Sequence, residues 1–210
     1  MKRNFRQFGF FIISFFIIGF LLIGCTTTIP VTSNINDFVM MGLKTNRSNS
    51  VSLEIISSII DGEIVVSGKD GEGTTGKVIV NEGSAITKML NEYMSAKFTK
   101  LSDKGDVQIK ISLLEFSLQD YNTQGTGLKI LGSITGSVRE PRIVTAKIKA
   151  VLDITRNGKV ETKNLIASSE ENYIGEFTSE VSNRAVAHSI NSANNKILMQ
   201  INSYFEEIGL

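Results

Sequence analysis

VTAKIKAVLDITRNGKV, residues 144–160, is the stretch on which the fold turns. Val144, Ala146, Ile148, Ala150, Leu152 and Ile154 alternate with Thr145, Lys147, Lys149, Val151, Asp153 and Thr155. A period of two puts the first set on one face of a β-strand and the second set on the other. Arg156-Asn157-Gly158-Lys159 closes the run. Asn-Gly between alternating segments is the strongest short hairpin signal, because both turn residues must adopt positive φ. The chain is therefore expected to return as a strand from Val160 toward Tyr173.

The neighbouring segments extend this pattern. Val107, Ile109, Ile111 and Leu113 alternate with Gln108, Lys110 and Ser112. At Leu113-Leu114 the alternation changes phase and continues through Leu114, Phe116 and Leu118. A phase change inside a strand predicts a bulge and a bend. On the C-terminal side, residues 179–208 place Val186, Ile190, Ala193, Ile197, Ile201, Tyr204 and Ile208 at steps of three or four. Asn191, Asn195 and Asn202 occupy the opposite side. Such a helix spans about 45 Å, enough to lie along a whole sheet.

The N-terminal half is harder to read. Residues 37–43 (DFVMMGL) read as a strand, and 50–60 as another with some helical ambiguity. Asp61-Gly62 reads as a turn into a strand over 63–67, giving a hairpin with the segment before it, and 77–80 as a short strand. Ser84 is a candidate N-cap for a shorter helix carrying Ile86, Met89, Leu90, Tyr93, Phe98 and Leu101, closed by residues 103–105. The predicted fold class is α+β: an antiparallel sheet with the shorter helix and the long C-terminal amphipathic helix packed on one face.

The first residues carry an address. Lys2, Arg3 and Arg6 precede an almost wholly apolar run over 8–23. That run is shorter than the roughly 20 residues needed to cross a bilayer core. A charged start, a short apolar run and small residues before a cut describe a secretory signal peptide. Leu22-Ile23-Gly24-Cys25 resembles the bacterial lipobox. The resemblance implies diacylglycerol on the Cys25 thiol, cleavage between Gly24 and Cys25, and a chain held on a membrane through that lipid. Each buried methylene contributes about 0.8 kcal/mol, so two or three acyl chains hold where one does not. The competing reading is a short uncleaved anchor with a free cysteine. In such lipoproteins an aspartate after the cysteine commonly retains the protein on the inner membrane. Thr26 stands there, which implies the outer membrane, facing the periplasm. The organisation expected is a signal peptide over 1–24, a lipidated cysteine and tether over 25–36, and one α+β domain over 37–210.

The element order over 81–208, behind a lipobox, resembles small periplasmic lipoproteins of the YajG type. It is similar, more loosely, to the auxiliary lipoproteins of envelope lipid transporters. That family has no settled activity, so the resemblance implies an address and a fold more than a mechanism.

The remaining motifs favour bland readings. The formal net charge is +1, which gives no reason to expect a polyanionic partner. Tryptophan is absent and lysines are scattered, so no nucleic-acid platform is expected. Cys25 is the one cysteine, so no intrachain disulfide forms. Residues 71–77 (GEGTTGK) imitate a phosphate loop, but Val78 stands where a Ser or Thr would hold Mg²⁺, and a strand follows. His188, the one histidine, falls on the solvent side of the long helix, and one His without a free thiol does not build a zinc site. Glu170-Glu171 and Glu206-Glu207 read as solvated charge. No cofactor, metal or catalytic set is expected. Leu128, Ile130 and Leu131, inside a glycine-rich loop over 124–136, either tuck onto the core or form an exposed tip against a partner or membrane. Three functions follow. The first is non-enzymatic binding or assembly with an envelope protein. The second is lipid handling, which requires an apolar cleft between long helix and sheet. The third is a hydrolase with a site not visible in the sequence.

Overall fold

A computed structural model describes residues 27–31, 34–41, 45–46, 48–71, 73–123, 141–177 and 179–210. Among these residues it has seven strands: β1 (Thr27–Ile29), β2 (Val51–Ser57), β3 (Gly62–Ser67), β4 (Thr74–Val80), β5 (Val107–Asn122), β6 (Pro141–Arg156) and β7 (Lys159–Ile174). Its helices are α1 (Asp37–Met41), α2 (Glu82–Lys97) and α3 (Glu180–Glu207), with a 3-10 turn at Lys69–Gly71. The seven strands form one sheet in the order β1-β4-β3-β5-β6-β7, and β2 pairs with β5 beside that path. The class is α+β.

The long meander follows the alternation. β5–β6 and β6–β7 are antiparallel, and Arg156 pairs with Lys159 across the turn. Asn157 and Gly158 both take positive φ, +52° and +74°, as an Asn-Gly hairpin demands. The expected bulge is present between Leu113 and Glu115. Leu113 pairs with Ala150 and Glu115 with Lys149, so Leu114 is the extra residue. Odd-numbered residues of β5 face the core before it, and Leu118 and Asp120 after it.

α3 lies over the core face. Val186, Ile190, Ala193, Ile197 and Ile201 are fully buried. Polar side chains of α3 also bond to the sheet's backbone. Ser189 Oγ accepts from Ala146 N–H at 2.9 Å and donates to Ser169 O at 2.7 Å, standing as a bridge between two residues that face each other in the β6–β7 ladder. Lys196 Nζ and Gln200 Nε2 donate to the carbonyls of Ser168 and Ile166, at 2.7 and 2.8 Å. These bonds occupy outward carbonyls of β7, an edge strand that would otherwise offer a template to another chain.

Four expectations are corrected in the N-terminal half. The sheet is mixed, not antiparallel: β1 runs parallel to β4, and both β2 and β3 run parallel to β5. Residues 37–41 are helix α1 instead of a strand; so short an apolar run has no period that separates the two states. The first hairpin joins β3 to β4, not β2 to β3. Helix α2 starts at Glu82 and stops at Lys97, where Phe98 turns extended. Asn81, not Ser84, holds the cap position, and its side chain makes no cap bond.

Candidate functional site

Gly24, Cys25, Leu128, Ile130 and Leu131 lie outside the described residues. Their described neighbours are placed. Thr27 begins β1, two residues after Cys25. The chain leaves at Thr123 and returns at Pro141, and Thr123 N–H donates to Pro141 O at 3.2 Å.

The stretch 25–36 was expected to be a tether, yet its described part is built into the domain. β1 pairs with β4 in the register Thr27–Val78, Thr28–Ile79, Ile29–Val80. Ile29 and Val31 are buried. Two asparagines then clamp the segment. Val31 N–H donates to Asn81 Oδ1 at 2.7 Å, and Asn81 Nδ2 donates back to Val31 O at 3.2 Å. Asn36 N–H donates to Asn195 Oδ1 at 2.7 Å, and Asn195 Nδ2 donates to Asn34 O at 3.2 Å. An amide side chain carries both a donor and an acceptor, so each asparagine closes a two-point bond to backbone. The chain is fixed on both sides of residues 32–33.

Helix α2 begins beside this clamp. Asp61, from the β2–β3 connection, caps it from outside: its carboxylate accepts from Ser84 N–H at 3.0 Å and from the Ser84 hydroxyl. These bonds hold the Asp61 carboxyl below its usual range. Gly83 makes the approach possible, because a Cβ there would stand 2.2 Å from the Ile59 carbonyl oxygen. Ile59, Asp61, Ser84, Thr87, Lys88 and Asn91 line an open cleft of about 580 Å³.

The seam between α2 and α3 is polar at two levels. Asn194 Nδ2 donates to Glu82 Oε2 at 3.3 Å. Glu82 Oε1 and Asn194 Oδ1 are buried acceptors without a partner. Burial pushes the Glu82 carboxyl up to about 8, opposed by the Asn194 bond and reinforced by the Asp61 charge. Glu82 is thus neutral through much of the physiological range, as expected of a desolvated carboxyl. Lower down, Asn202 Oδ1 accepts from Tyr93 Oη at 2.9 Å, and Lys97 Nζ stands 3.5 Å from it. Desolvation raises the Tyr93 hydroxyl, followed by the Glu206 charge.

A third polar cluster sits at the far end of the core face. Buried Asp120 accepts from Arg142 Nε at 3.0 Å and from Tyr173 Oη at 2.7 Å. Every partner in this cluster is another side chain of the same sheet, so it reads as a structural ion pair.

The other sequence candidates stand apart. His188 is exposed. Lys77 lies on β4 and pairs with Glu63 at 2.7 Å, so residues 74–77 are strand and not a phosphate loop. Glu170, Glu206 and Glu207 are exposed. On the outward face, Ser52, Glu54, Gln108, Lys110, Asp153 and Thr155 help line a second cleft of about 530 Å³. Neither cleft lies between α3 and the sheet, where side chains fill the interface. Of the three asparagines expected opposite the apolar stripe of α3, Asn202 meets Tyr93 of α2 and Asn195 binds the backbone of Asn34 and Asn36. A signal for these bonds exists in the sequence: solvated helix faces favour Lys and Glu, and asparagine is a poor helix former, so three asparagines on one side point to side-chain partners.

No protein-family model matches the chain, and no curated protein matches it. Among solved structures the chain is similar to a Xanthomonas campestris protein of the DUF330 family, at 13% identity and a TM-score of 0.49, over 88% of this chain and 96% of that one. It is also similar to a Helicobacter pylori protein described as a neuraminyllactose-binding hemagglutinin homolog, at 7% identity and a TM-score of 0.45, over 86% of this chain and 98% of that one.

Proposed function

We propose that this chain is a lipid-anchored protein of the bacterial envelope, held through Cys25 on the outer membrane and facing the periplasm, with a non-enzymatic role in binding or assembling another envelope protein. One observation supports the anchoring best. Lys2, Arg3 and Arg6, the apolar run over 8–23 and Leu22-Ile23-Gly24-Cys25 stand in the order of a lipoprotein signal, and cleavage before Cys25 would leave every described residue in the chain. No helix among the described residues is long and apolar enough to cross a membrane. The binding role rests on how the polar groups are used. Asn81, Asn195, Ser189, Asp61 and Asp120 are engaged in bonds that hold backbone or neighbouring side chains. What faces water on the meander is a broad, mixed surface with a polar cleft, suited to a protein partner.

The lipid-handling reading needed an apolar groove under the long helix. Val186, Ile190, Ala193, Ile197 and Ile201 fill that space, so binding to a protein is preferred.

Intact-mass analysis of the protein from membranes tests the anchor. The expected mass is that of residues 25–210 plus a diacylglyceryl group, and Cys25→Ser should release the protein from the membrane. A mass matching the uncleaved chain would overturn the anchor. Crosslinking in intact cells should recover one reproducible envelope protein; a diffuse background in repeated experiments would count against the binding role.

A further inference from the structure

Lipid anchors are usually pictured on flexible tethers that leave a domain free to tumble. This chain has almost no such slack. Only Thr26 separates Cys25 from β1, and two residue steps reach at most about 7 Å. From Thr27 onward the segment is fixed by the β4 ladder, by buried Ile29 and Val31, and by Asn81 and Asn195. The anchor therefore sits beside the β1 edge, whatever the rest of the domain does.

The opposite edge is far away. β7 lies five strand spacings from β1, about 24 Å at about 4.8 Å per spacing. The surface next to the anchor has its own chemistry. On the outward face Thr28 pairs with Ile79, Ile79 with Glu63, and Lys77 with Val65. Val65 and Ile79 are exposed apolar side chains, at 53% and 37%. They flank the Lys77–Glu63 ion pair, which is itself half exposed. Apolar side chains beside a lysine with a long methylene stem match the boundary between headgroups and acyl chains.

Resting on the lipid-anchored reading, we propose that the β1–β4 edge, with Thr28, Val65, Lys77 and Ile79, lies against the bilayer surface, and that the β6–β7 hairpin points away from it. The domain is then oriented on the membrane and does not tumble. The β6–β7 hairpin, at the edge far from the anchor, is presented to partners in the periplasm.

Single-site fluorescent labels test this on the full, lipidated chain. Lipidation consumes the Cys25 thiol, so an introduced cysteine is unique. Val65→Cys and Lys159→Cys carry the label, in vesicles of phosphatidylethanolamine and phosphatidylglycerol with a headgroup quencher. Quenching several-fold stronger at 65 than at 159 is expected. Equal quenching at the two sites, or the reverse order, overturns the orientation while leaving the anchor intact. Absence of lipid from the intact mass overturns both readings at once. A second variant keeps the tether under test: a long Gly-Ser insertion between Thr26 and Thr27 should abolish the contrast, and a contrast that survives it overturns the short-tether argument.

Discussion

In the half of the sheet made by β5, β6 and β7, each strand has 16 residues and each neighbour pairs antiparallel. In the half made by β1 to β4, strands have three to seven residues, and β1, β2 and β3 all take part in parallel pairings. The first half is held by area: long ladders and a helix laid across them. The second also buries apolar side chains, but its entry segment and helix start are pinned at points: Asn81, Asn195, Asp61 and the buried Glu82. Stability spread over area should fail all at once, and stability concentrated in points should fail locally.

The largest effect should come from the area-held half. Ile190→Ala removes a fully buried side chain beneath α3 and should cost about 2–5 kcal/mol. Loss should be global, with β-sheet and helix signals falling in one urea transition at a lower midpoint. A variant whose meander unfolds in a separate step would break the comparison.

Asn81→Ala probes the point-held half. It leaves the Val31 N–H and C=O without their bonds, at a cost of about 1–3 kcal/mol. Hydrogen exchange should quicken at residues 27–36 while β5, β6 and β7 keep their protection. Uniform acceleration across the domain would show that the clamp is as much part of the core as Ile190.

This contrast also explains what the sequence revealed. Alternation in β5 and β6, the Asn157-Gly158 turn that implies β7, and the phase change at Leu113-Leu114 are local signals, so each was legible. Parallel pairing of β2 with β5 joins residues more than fifty apart, such as Val51 and Val107, and no local period records it. Residues 37–41 were misread because five residues cannot show a helical repeat. The clamps were hidden for the same reason: Asn81 reaches Val31 and Asn195 reaches Asn34 across 50 and 161 positions. The lipobox-like stretch ending at Cys25 stands out because it is contiguous, whereas the pairing of β1 two residues later is announced by no motif.

Acidity separates the halves more finely. An unfolded glutamate ionises near 4.5, whereas folded Glu82 holds its proton up to about 8. Between these values the folded chain binds a proton that the unfolded chain has lost, so stability falls as pH rises through the window. Below 4.5 both states are protonated and the full contribution is present. Glu82→Gln keeps a neutral side chain that no longer titrates, and its carbonyl oxygen can still accept from Asn194 Nδ2. The variant should gain stability over the parent on moving from pH 4 to pH 8.5. Urea midpoints at the two pH values measure it, and parallel pH profiles would remove Glu82 from the points that hold this half.

The smallest effect should fall at the bulge, within the area-held half itself. Leu114 is an apolar residue in the middle of the β5–β6 ladder, and the alternation alone would place it with Phe116 and Leu118 on the core face. It is instead the unpaired residue of the bulge and half exposed, while its neighbour Leu113 is fully buried. A bulge requires an extra residue, not a particular side chain. Leu114→Ser should therefore shift stability by no more than about 0.5 kcal/mol, measured as the urea midpoint. A loss of the size expected at Ile190 would mean that Leu114 packs against something in the folded protein, and that the outward face of the meander is covered at this point.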